Sequence, residues 1–229
     1  MKPERSSGIL LHPTSLPGKY GIGTLGKEAL HFIDFLAKSK QKLWQILPLG
    51  PTGFADSPYQ CFSSAAGNPL LIDLEILVKE KLLDKKDLDC LAPFNDGPVD
   101  YGKVIDCKYP LLKKSMEAFK VNAEKEHKKD FQDFIESNKK WLEDYALFMS
   151  LKEHFNQKPW YQWEKPLKMR KETALKPFRT ILSDRIEFHK FIQYLFFRQW
   201  ITVKDYAHQK NIRIIGDIPF YVALDSVDA

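Results

Sequence analysis

Residues 211–229 read Asn-Ile-Arg-Ile-Ile-Gly-Asp-Ile-Pro-Phe-Tyr-Val-Ala-Leu-Asp-Ser-Val-Asp-Ala and contain a short β-branched run that stops at a Gly-Asp pair. Ile212, Ile214 and Ile215 predict a strand that is buried on both faces of a parallel sheet, because apolar residues run together there instead of alternating with polar ones. This run decides the fold class, since a buried parallel strand requires an α/β arrangement.

The Gly-Asp pair marks the end of that strand. Gly216 allows close backbone approach, and Pro219 cannot extend a β-ladder. The stretch therefore predicts a barrel strand that carries Asp217 at its carboxyl end, the edge at which parallel α/β enzymes bind their ligands. The alternative is that Asp217 only hydrogen-bonds a loop amide or caps the following segment.

Composition and charge exclude several classes of protein. Of the 229 residues, 44% are apolar and 28% are charged, a balance far from that of a disordered chain. The net charge of +5 comes mostly from lysines spread through the middle of the chain, whereas nucleic-acid binding requires clustered Arg and Lys with interleaved aromatics. No apolar run approaches the length of a membrane span. We expect a cytoplasmic protein that binds neither nucleic acid nor a membrane.

Three cysteines, Cys61, Cys90 and Cys107, lack the paired close spacing of a zinc site. We expect them to be reduced thiols with a structural role.

The first quarter of the chain predicts a strand, a helix and a second strand. Gly8 to His12 and Leu43 to Leu49 form the two strands, each followed by a turn rich in Gly and Pro. The helix between them has an apolar stripe at Leu25, Ala29, Phe32 and Leu36. Strand, helix and strand within this length form a right-handed crossover unit.

The last quarter predicts a long helix from Ser183 or Asp184 to about Gln209, leading into the third strand. Its buried side is expected to carry Phe188, Phe191, Ile192, Leu195 and Phe196.

Residues 52–182 are too long for a loop and predict an insertion, first polar and aromatic and then helical. An aromatic stripe in its later part predicts a core helix that packs against a helix around residues 111–136; the stripe consists of Trp141, Tyr145, Phe148, Leu151 and Phe155. Trp160 and Trp163 follow in an irregular link that either packs or flanks a groove, and packing is favoured.

The predicted fold class is α/β, an incomplete (β/α)8 TIM barrel with its first three strands and a large, mainly helical insertion after the second strand. Residues 1–51 would start the barrel, 52–182 would form the inserted subdomains, and 183–229 would return to the barrel. A closed barrel needs eight strands and about 250 residues before insertions. We therefore expect the chain to be the front part of a longer protein.

Residues 50–60, Gly-Pro-Thr-Gly-Phe-Ala-Asp-Ser-Pro-Tyr-Gln, follow the second strand and place a hydroxyl at Ser57 and an aromatic ring at Tyr59 close to an acid. Sugar sites combine these groups, because a pyranose presents an apolar ring face and a rim of hydroxyls. The alternative is a proline-braced loop whose Tyr59 merely covers the mouth of the barrel.

Five motifs in one order resemble the 4-α-glucanotransferases, the amylomaltase or disproportionating enzymes. They are Arg-Ser-Ser-Gly-Ile-Leu-Leu-His-Pro-Thr-Ser-Leu-Pro, the loop at 50–60, Ala-Gly-Asn-Pro-Leu-Leu-Ile-Asp-Leu, Val-Asp-Tyr, and Gly-Asp-Ile-Pro-Phe-Tyr-Val-Ala-Leu-Asp-Ser. The resemblance runs from about residue 5 to the end of the chain. It implies a barrel related to the α-amylases, acting in the cytoplasm on maltooligosaccharides, starch or glycogen, with no metal or cofactor.

The resemblance also implies roles for individual residues. Asp217 matches the acid after the third barrel strand, which helps to arrange the site around the sugar being cleaved. Tyr59 matches the tyrosine that stacks on that sugar. Tyr101 falls where the family has an aromatic residue at a secondary glucan-binding surface. Phe54 falls near the same surface, where relatives often carry Tyr, so stacking is kept and a hydroxyl is lost.

The family transfers a glucan segment to a 4-hydroxyl by a retaining double displacement, which requires a carboxylate nucleophile and an acid/base carboxylic acid. In the family these groups and a third, transition-state-stabilising Asp lie on later strands, so we expect the chain alone to be inactive. We also expect it to fold poorly, because a three-strand slice of a closed barrel exposes an edge strand and an apolar face. Two alternatives stay open: an amylase-like α-glucan hydrolase, and a non-catalytic glucan-binding protein. The oligomeric state is not predicted.

Overall fold

The structure is a computed structural model that describes residues 5–91, 94 and 97–229, without the side chains of Phe54, Cys90 and Leu91. The described chain is an α/β protein with three short strands and mostly helical content. The strands are β1 (Gly8–Leu10), β2 (Leu43–Gln45) and β3 (Arg213–Ile215). The helices are α1 (Lys27–Lys38), α2 (Leu74–Lys79), α3 (Tyr101–Asn122), α4 (Lys125–His154), α5 (Lys165–Lys168), α6 (Glu172–Ile181) and α7 (Ser183–Gln209).

The strands form one parallel sheet in the order β1-β2-β3, which confirms the predicted parallel α/β class. The register pairs Leu10 with Gln45 and Gln45 with Ile215. Gly8 is required at the start of β1, because a Cβ there would lie 2.4 Å from the Cβ and the carbonyl oxygen of Leu43. β1 and β2 end earlier than predicted, since Pro13 and Pro48 follow and cannot extend the ladder. β3 begins one residue later than predicted, at Arg213.

One face of the sheet is buried and the other is exposed. Trp44 is fully buried and meets Phe32 of α1 edge-on, with ring centroids 5.3 Å apart. On the opposite face Leu10 is 54% exposed and Ile215 is 41% exposed. The prediction that the third strand is buried on both faces is therefore wrong in the described chain. Helix α1 packs over Trp44, but no described element buries Leu10 and Ile215 in the same way.

Contacts divide the chain into two compact units. The first comprises Met1–Leu49, Asn68–Asn122 and Leu195–Ile218, and the second comprises Gly50–Gly67, Ala123–Tyr194 and Pro219–Ala229. The predicted domain boundaries at 51 and 182 concern the complete fold and stay a prediction.

The predicted helix around residues 111–136 is wrong in its extent. The backbone is extended at Glu124, with φ −61° and ψ 156°, and separates α3 from α4. The aromatic stripe of α4 is core, as predicted, but its cluster joins Tyr145, Phe148 and Leu151 to residues of the segment 163–182 instead. Trp163 belongs to this cluster, so the link between α4 and α5 is packed.

Helix α7 runs from Ser183 to Gln209, the bounds that the sequence predicts, although Ser183 is its first residue and not its N-cap. All five residues of the predicted apolar side are at most 3% exposed; they are Phe188, Phe191, Ile192, Leu195 and Phe196. The helix thus leads directly into β3 and fixes where that strand begins.

Candidate functional site

The carboxyl edge of the sheet extends one residue beyond the strands. The backbone N–H of Leu11 donates to Gln45 O at 3.0 Å, and that of Ile46 donates to Ile215 O at 3.0 Å. Asp217 follows β3 by two residues and therefore lies just past this edge, as the sequence predicts. In parallel α/β proteins this edge carries the ligand site.

Asp217 is half-buried, and its Oδ1 accepts a hydrogen bond from the backbone N–H of Ile218 at 2.8 Å. The loop-amide contact considered from the sequence is thus present. A carboxylate accepts several hydrogen bonds at once, so this contact is compatible with a second role toward a ligand. Gly216 does not provide the close approach expected of it, because a Cβ at this position would meet no atom of the described residues within 4 Å.

The loop after β2 is closed at its base. The N–H of Gly53 donates to Gln60 O at 2.8 Å, and that of Phe62 donates to Pro51 O at 3.0 Å. Ala55 at its tip has a φ of 55°, a left-handed value that is uncommon for a residue with a side chain. Backbone strain of this kind persists where the surroundings impose it, and it is concentrated at functional sites.

Within that loop Ser57 and Tyr59 are neighbours. Ser57 Oγ accepts a hydrogen bond from the N–H of Tyr59 at 3.3 Å, which fixes the turn that presents the tyrosine. The half-buried Tyr59 ring meets Phe220, with centroids 6.1 Å apart and planes inclined by 52°. The Ser57 hydroxyl can still donate its own hydrogen, since a hydroxyl both donates and accepts.

Tyr101 and Phe54 are the two residues predicted for a secondary glucan surface. Tyr101 is the first residue of α3 and packs, half-buried, against the small cluster of Ile22, Leu70 and Val104. The side chain of Phe54 lies outside the part of the chain that the structure describes. The secondary surface stays a prediction.

A buried ion pair that the sequence did not reveal anchors the end of the chain. Lys152 on α4 is 2% exposed, and its Nζ donates to Asp225 and, at 3.0 Å, to Gln157 O. Asp225 Oδ1 also accepts from the N–H of Trp160 at 3.1 Å. The sequence offered one signal, the lysine that ends the mostly apolar run Leu-Phe-Met-Ser-Leu-Lys, because a charge beside buried apolar residues needs a partner.

His12 is a second residue that the sequence did not identify as a candidate site residue. It follows β1 by two residues, as Asp217 follows β3. This equal distance from the end of a strand could have identified His12 as a candidate site residue. Its Nδ1 is buried and has no hydrogen-bond partner among the residues that the structure describes. Burial lowers the pKa of His12 from 6.5 to about 4, so the imidazole is neutral at physiological pH.

The described thiols are Cys61 and Cys107, and both are free, as predicted. Burial raises the pKa of the Cys61 thiol, which favours the unreactive protonated form. The side chain of Cys90 lies outside the described residues. Among the residues described, no group of three or more His, Cys, Asp or Glu could hold a metal ion. None of the described helices is long and apolar enough to cross a membrane.

Solved structures of other proteins share this fold. An amylomaltase from Streptococcus agalactiae, solved in complex with acarbose, matches with a TM-score of 0.92 and 45% identity over 98% of this chain and 45% of its own. An amylomaltase from Corynebacterium glutamicum matches with a TM-score of 0.78 over 97% of this chain and 31% of its own, and at 17% identity it supports the fold alone.

Curated relatives show the same partial coverage. A 4-alpha-glucanotransferase from Synechocystis is 49% identical over the whole chain, and one from Thermus thermophilus is 48% identical. A relative from Solanum tuberosum, 40% identical, is named as chloroplastic or amyloplastic, so the cytoplasmic location stays a prediction. The chain spans 45% of the length of the first two relatives. The profile of the 4-alpha-glucanotransferase family matches residues 11–229, and the chain belongs to that family.

Proposed function

We propose that the protein carrying this chain is a 4-α-glucanotransferase, which transfers an α-1,4-glucan segment to the 4-hydroxyl of another glucan or of glucose. The observation that carries the proposal is a parallel sheet with Asp217 just past its carboxyl edge, within a chain that belongs to this family. The names of relatives at 48% and 49% identity support the same activity.

We propose further that the three strands are the first three of a (β/α)8 barrel. Their order β1-β2-β3 follows the chain, as it does in such a barrel. The exposed face with Leu10 and Ile215 supports the proposal, because the inward face of a barrel is filled by side chains from all eight strands. Residues 1–51 and 183–229 would belong to the barrel, and 52–182 would form the inserted subdomains.

Chemistry in this proposal is a retaining double displacement. One carboxylate attacks the anomeric carbon and forms a covalent glycosyl-enzyme, while a carboxylic acid protonates the departing glycosidic oxygen. The same acid, now ionised, removes the proton of the incoming 4-hydroxyl, which attacks the anomeric carbon and releases the nucleophile. The nucleophile and the acid/base are assigned to the part of the protein outside these 229 residues, so Asp217 takes neither role.

Asp217 is proposed to accept hydrogen bonds from hydroxyls of the sugar being cleaved. Its position past the end of β3 supports this role, because the strand holds the backbone of the preceding residues in place. Tyr59 is proposed to stack on a sugar face, and the turn in which Ser57 accepts the Tyr59 N–H supports a fixed orientation of the tyrosine. Ser57 would donate its hydroxyl hydrogen to the sugar. Tyr101 and Phe54 would contribute to a secondary glucan surface.

Maltooligosaccharides, starch or glycogen are the proposed substrates, and the cytoplasm is the proposed location. The acarbose bound to the Streptococcus agalactiae amylomaltase supports an oligosaccharide ligand. Neither nucleic acid nor a membrane is a proposed partner.

The test is to incubate the complete polypeptide that carries residues 1–229 with maltotriose and to follow the products by chromatography. Transfer gives a ladder of longer maltooligosaccharides together with glucose, and the number of reducing ends stays constant. Hydrolysis raises the number of reducing ends, which would replace the proposal with the hydrolase alternative. Binding of maltotriose without any product would favour the non-catalytic alternative.

A further inference from the structure

His12 is held in a fixed position by the residues on both sides of it. Before it, Leu11 O accepts a hydrogen bond from Trp44 Nε1 at 2.7 Å, and Leu11 N–H extends the ladder to β2. After it, Pro13 opens a 3-10 turn, and His12 O accepts from the N–H of Ser15 at 2.9 Å. The backbone at His12 is extended, with φ −72° and ψ 140°, as expected for a residue before proline.

The sheet register places His12 level with Asp217. Leu10, Gln45 and Ile215 are paired across the sheet, and the N–H groups of Leu11 and Ile46 continue the ladder by one residue. Continuing that register by one more residue puts His12, Leu47 and Asp217 at one level. Neighbouring strands lie about 4.8 Å apart, so the Cα atoms of His12 and Asp217 are separated by roughly 10 Å. A monosaccharide ring with its hydroxyls can span that separation.

The two ring nitrogens of His12 differ in their surroundings. Nδ1 is buried and lacks a hydrogen-bond partner among the described residues. Nε2 is not among the buried atoms that lack a partner. Nδ1 lacks a partner in either tautomer, as an unsatisfied donor when it carries the proton and as an unsatisfied acceptor when it does not. We place the proton of the neutral ring on Nε2, where a bound ligand can accept it.

We propose that His12 is a substrate-contacting residue, whose Nε2–H donates a hydrogen bond to a hydroxyl of the sugar bound beside Asp217. This inference rests on the proposed transferase function, and it adds a neutral hydrogen-bond donor to the proposed sugar site. A neutral donor and a carboxylate acceptor on one level complement each other, because a sugar hydroxyl can accept from one group and donate to another.

The experiment compares three variants of the complete polypeptide with maltotriose as substrate. His12→Gln places an amide N–H near the position of Nε2, whereas His12→Leu removes every polar group. His31→Leu is the matched control, because His31 is an exposed histidine on α1. We expect kcat/KM to fall about tenfold in His12→Leu, to recover largely in His12→Gln, and to stay unchanged in His31→Leu.

A second measurement separates contact with the sugar from a purely structural role. Maltotriose analogues that each lack one hydroxyl are assayed with the wild type and with His12→Leu. Loss of the contacted hydroxyl should cost the wild type about tenfold and should cost His12→Leu nothing further. If every missing hydroxyl costs both proteins equally, His12 does not contact the sugar.

The outcomes keep the two proposals apart. If the wild type redistributes maltotriose while a folded His12→Leu keeps its full kcat/KM, the His12 proposal is overturned and the transferase proposal stands. If the wild type has no transfer activity, the transferase proposal fails by itself, and the proposal for His12 falls with it.

Discussion

The side-chain amide of Gln199 on α7 makes both hydrogen bonds that a neighbouring strand would make to the backbone of Asp73. Gln199 Oε1 accepts from Asp73 N–H at 2.7 Å, and Nε2 donates to Asp73 O at 3.1 Å. Asp73 in turn caps α2, since its Oδ1 accepts from the N–H of Ile76 at 3.0 Å. Helix α7 therefore positions β3 and also holds the segment that begins α2.

Replacing Gln199 with Leu should lower the free energy of unfolding by about 2 kcal/mol or more, because it leaves two backbone groups without partners. Urea denaturation of the complete polypeptide measures the change. Gln132→Leu is the control, because Gln132 is exposed on α4 and its replacement should change stability by less than about 0.5 kcal/mol. Equal losses for the two variants would contradict the role given to Gln199.

Lys108 should make stability rise with pH. Its buried Nζ donates to Leu70 O at 2.5 Å, and desolvation lowers its pKa from 10.5 to about 7. Between these values the unfolded chain binds a proton that the folded chain does not, so stability increases with pH by up to about 1.4 kcal/mol per unit. Below pH 7 both states are protonated, so stability no longer changes with pH and the buried ammonium of Lys108 destabilises the fold by its full amount.

Lys108→Met should abolish that part of the pH dependence between pH 7 and 9, and urea titrations at three pH values measure it. Lys113→Met replaces an exposed lysine of the same helix and should keep the wild-type slope. A wild-type slope in Lys108→Met would show that Lys108 keeps its ordinary pKa in the fold.

The buried pair of Lys152 and Asp225 should respond unequally to loss of either partner. Asp225→Ala leaves a buried ammonium without its counter-charge, which typically costs about 3 to 5 kcal/mol. Lys152→Met leaves a carboxylate that is 26% exposed and can be hydrated, so it should cost less. Urea midpoints of the two single variants and the double variant test the asymmetry. A larger loss from Lys152→Met would refute it.

Tyr59→Ala should lower kcat/KM for maltotriose, because stacking of an aromatic side chain on a ring is worth about 1 to 3 kcal/mol. The fold should persist, since Tyr59 is only half-buried. Tyr59→Phe keeps the ring and is the matched control, so it should retain most of the activity. Unchanged disproportionation by Tyr59→Ala would remove Tyr59 from the site.

Asp217→Asn should nearly abolish turnover while sparing thermal stability, because Asp217 is proposed as a site residue and the change keeps its size. The measurements are maltotriose turnover and the melting temperature of the same preparation. Asp205→Asn replaces an exposed acid on α7 and should leave both unchanged. A large fall in melting temperature with activity per folded molecule preserved would favour the purely structural role.

Local patterns in the sequence determined the elements of this protein. The β-branched run at 212–215 specified β3, and the apolar spacing of α7 specified all five of its buried residues, because backbone propensity and burial periodicity act over a few residues. The motif order was sufficient to identify the family. The loop with Ser57 and Tyr59 and the position of Asp217 after β3 were also accessible, since both follow directly from where a strand ends.

Only the tertiary structure shows which residues distant in the sequence are in contact. The pairing of Lys152 with Asp225 and of Gln199 with Asp73 joins residues separated by 73 and 126 positions, and no local pattern encodes such contacts. The same holds for the exposed sheet face, which depends on what packs over Leu10 and Ile215. The register that pairs Leu10, Gln45 and Ile215 also depends on the tertiary structure, because hydrogen bonds between strands, and not propensity, set the alignment of their ends. The level proposed for His12 and Asp217 rests on continuing that register.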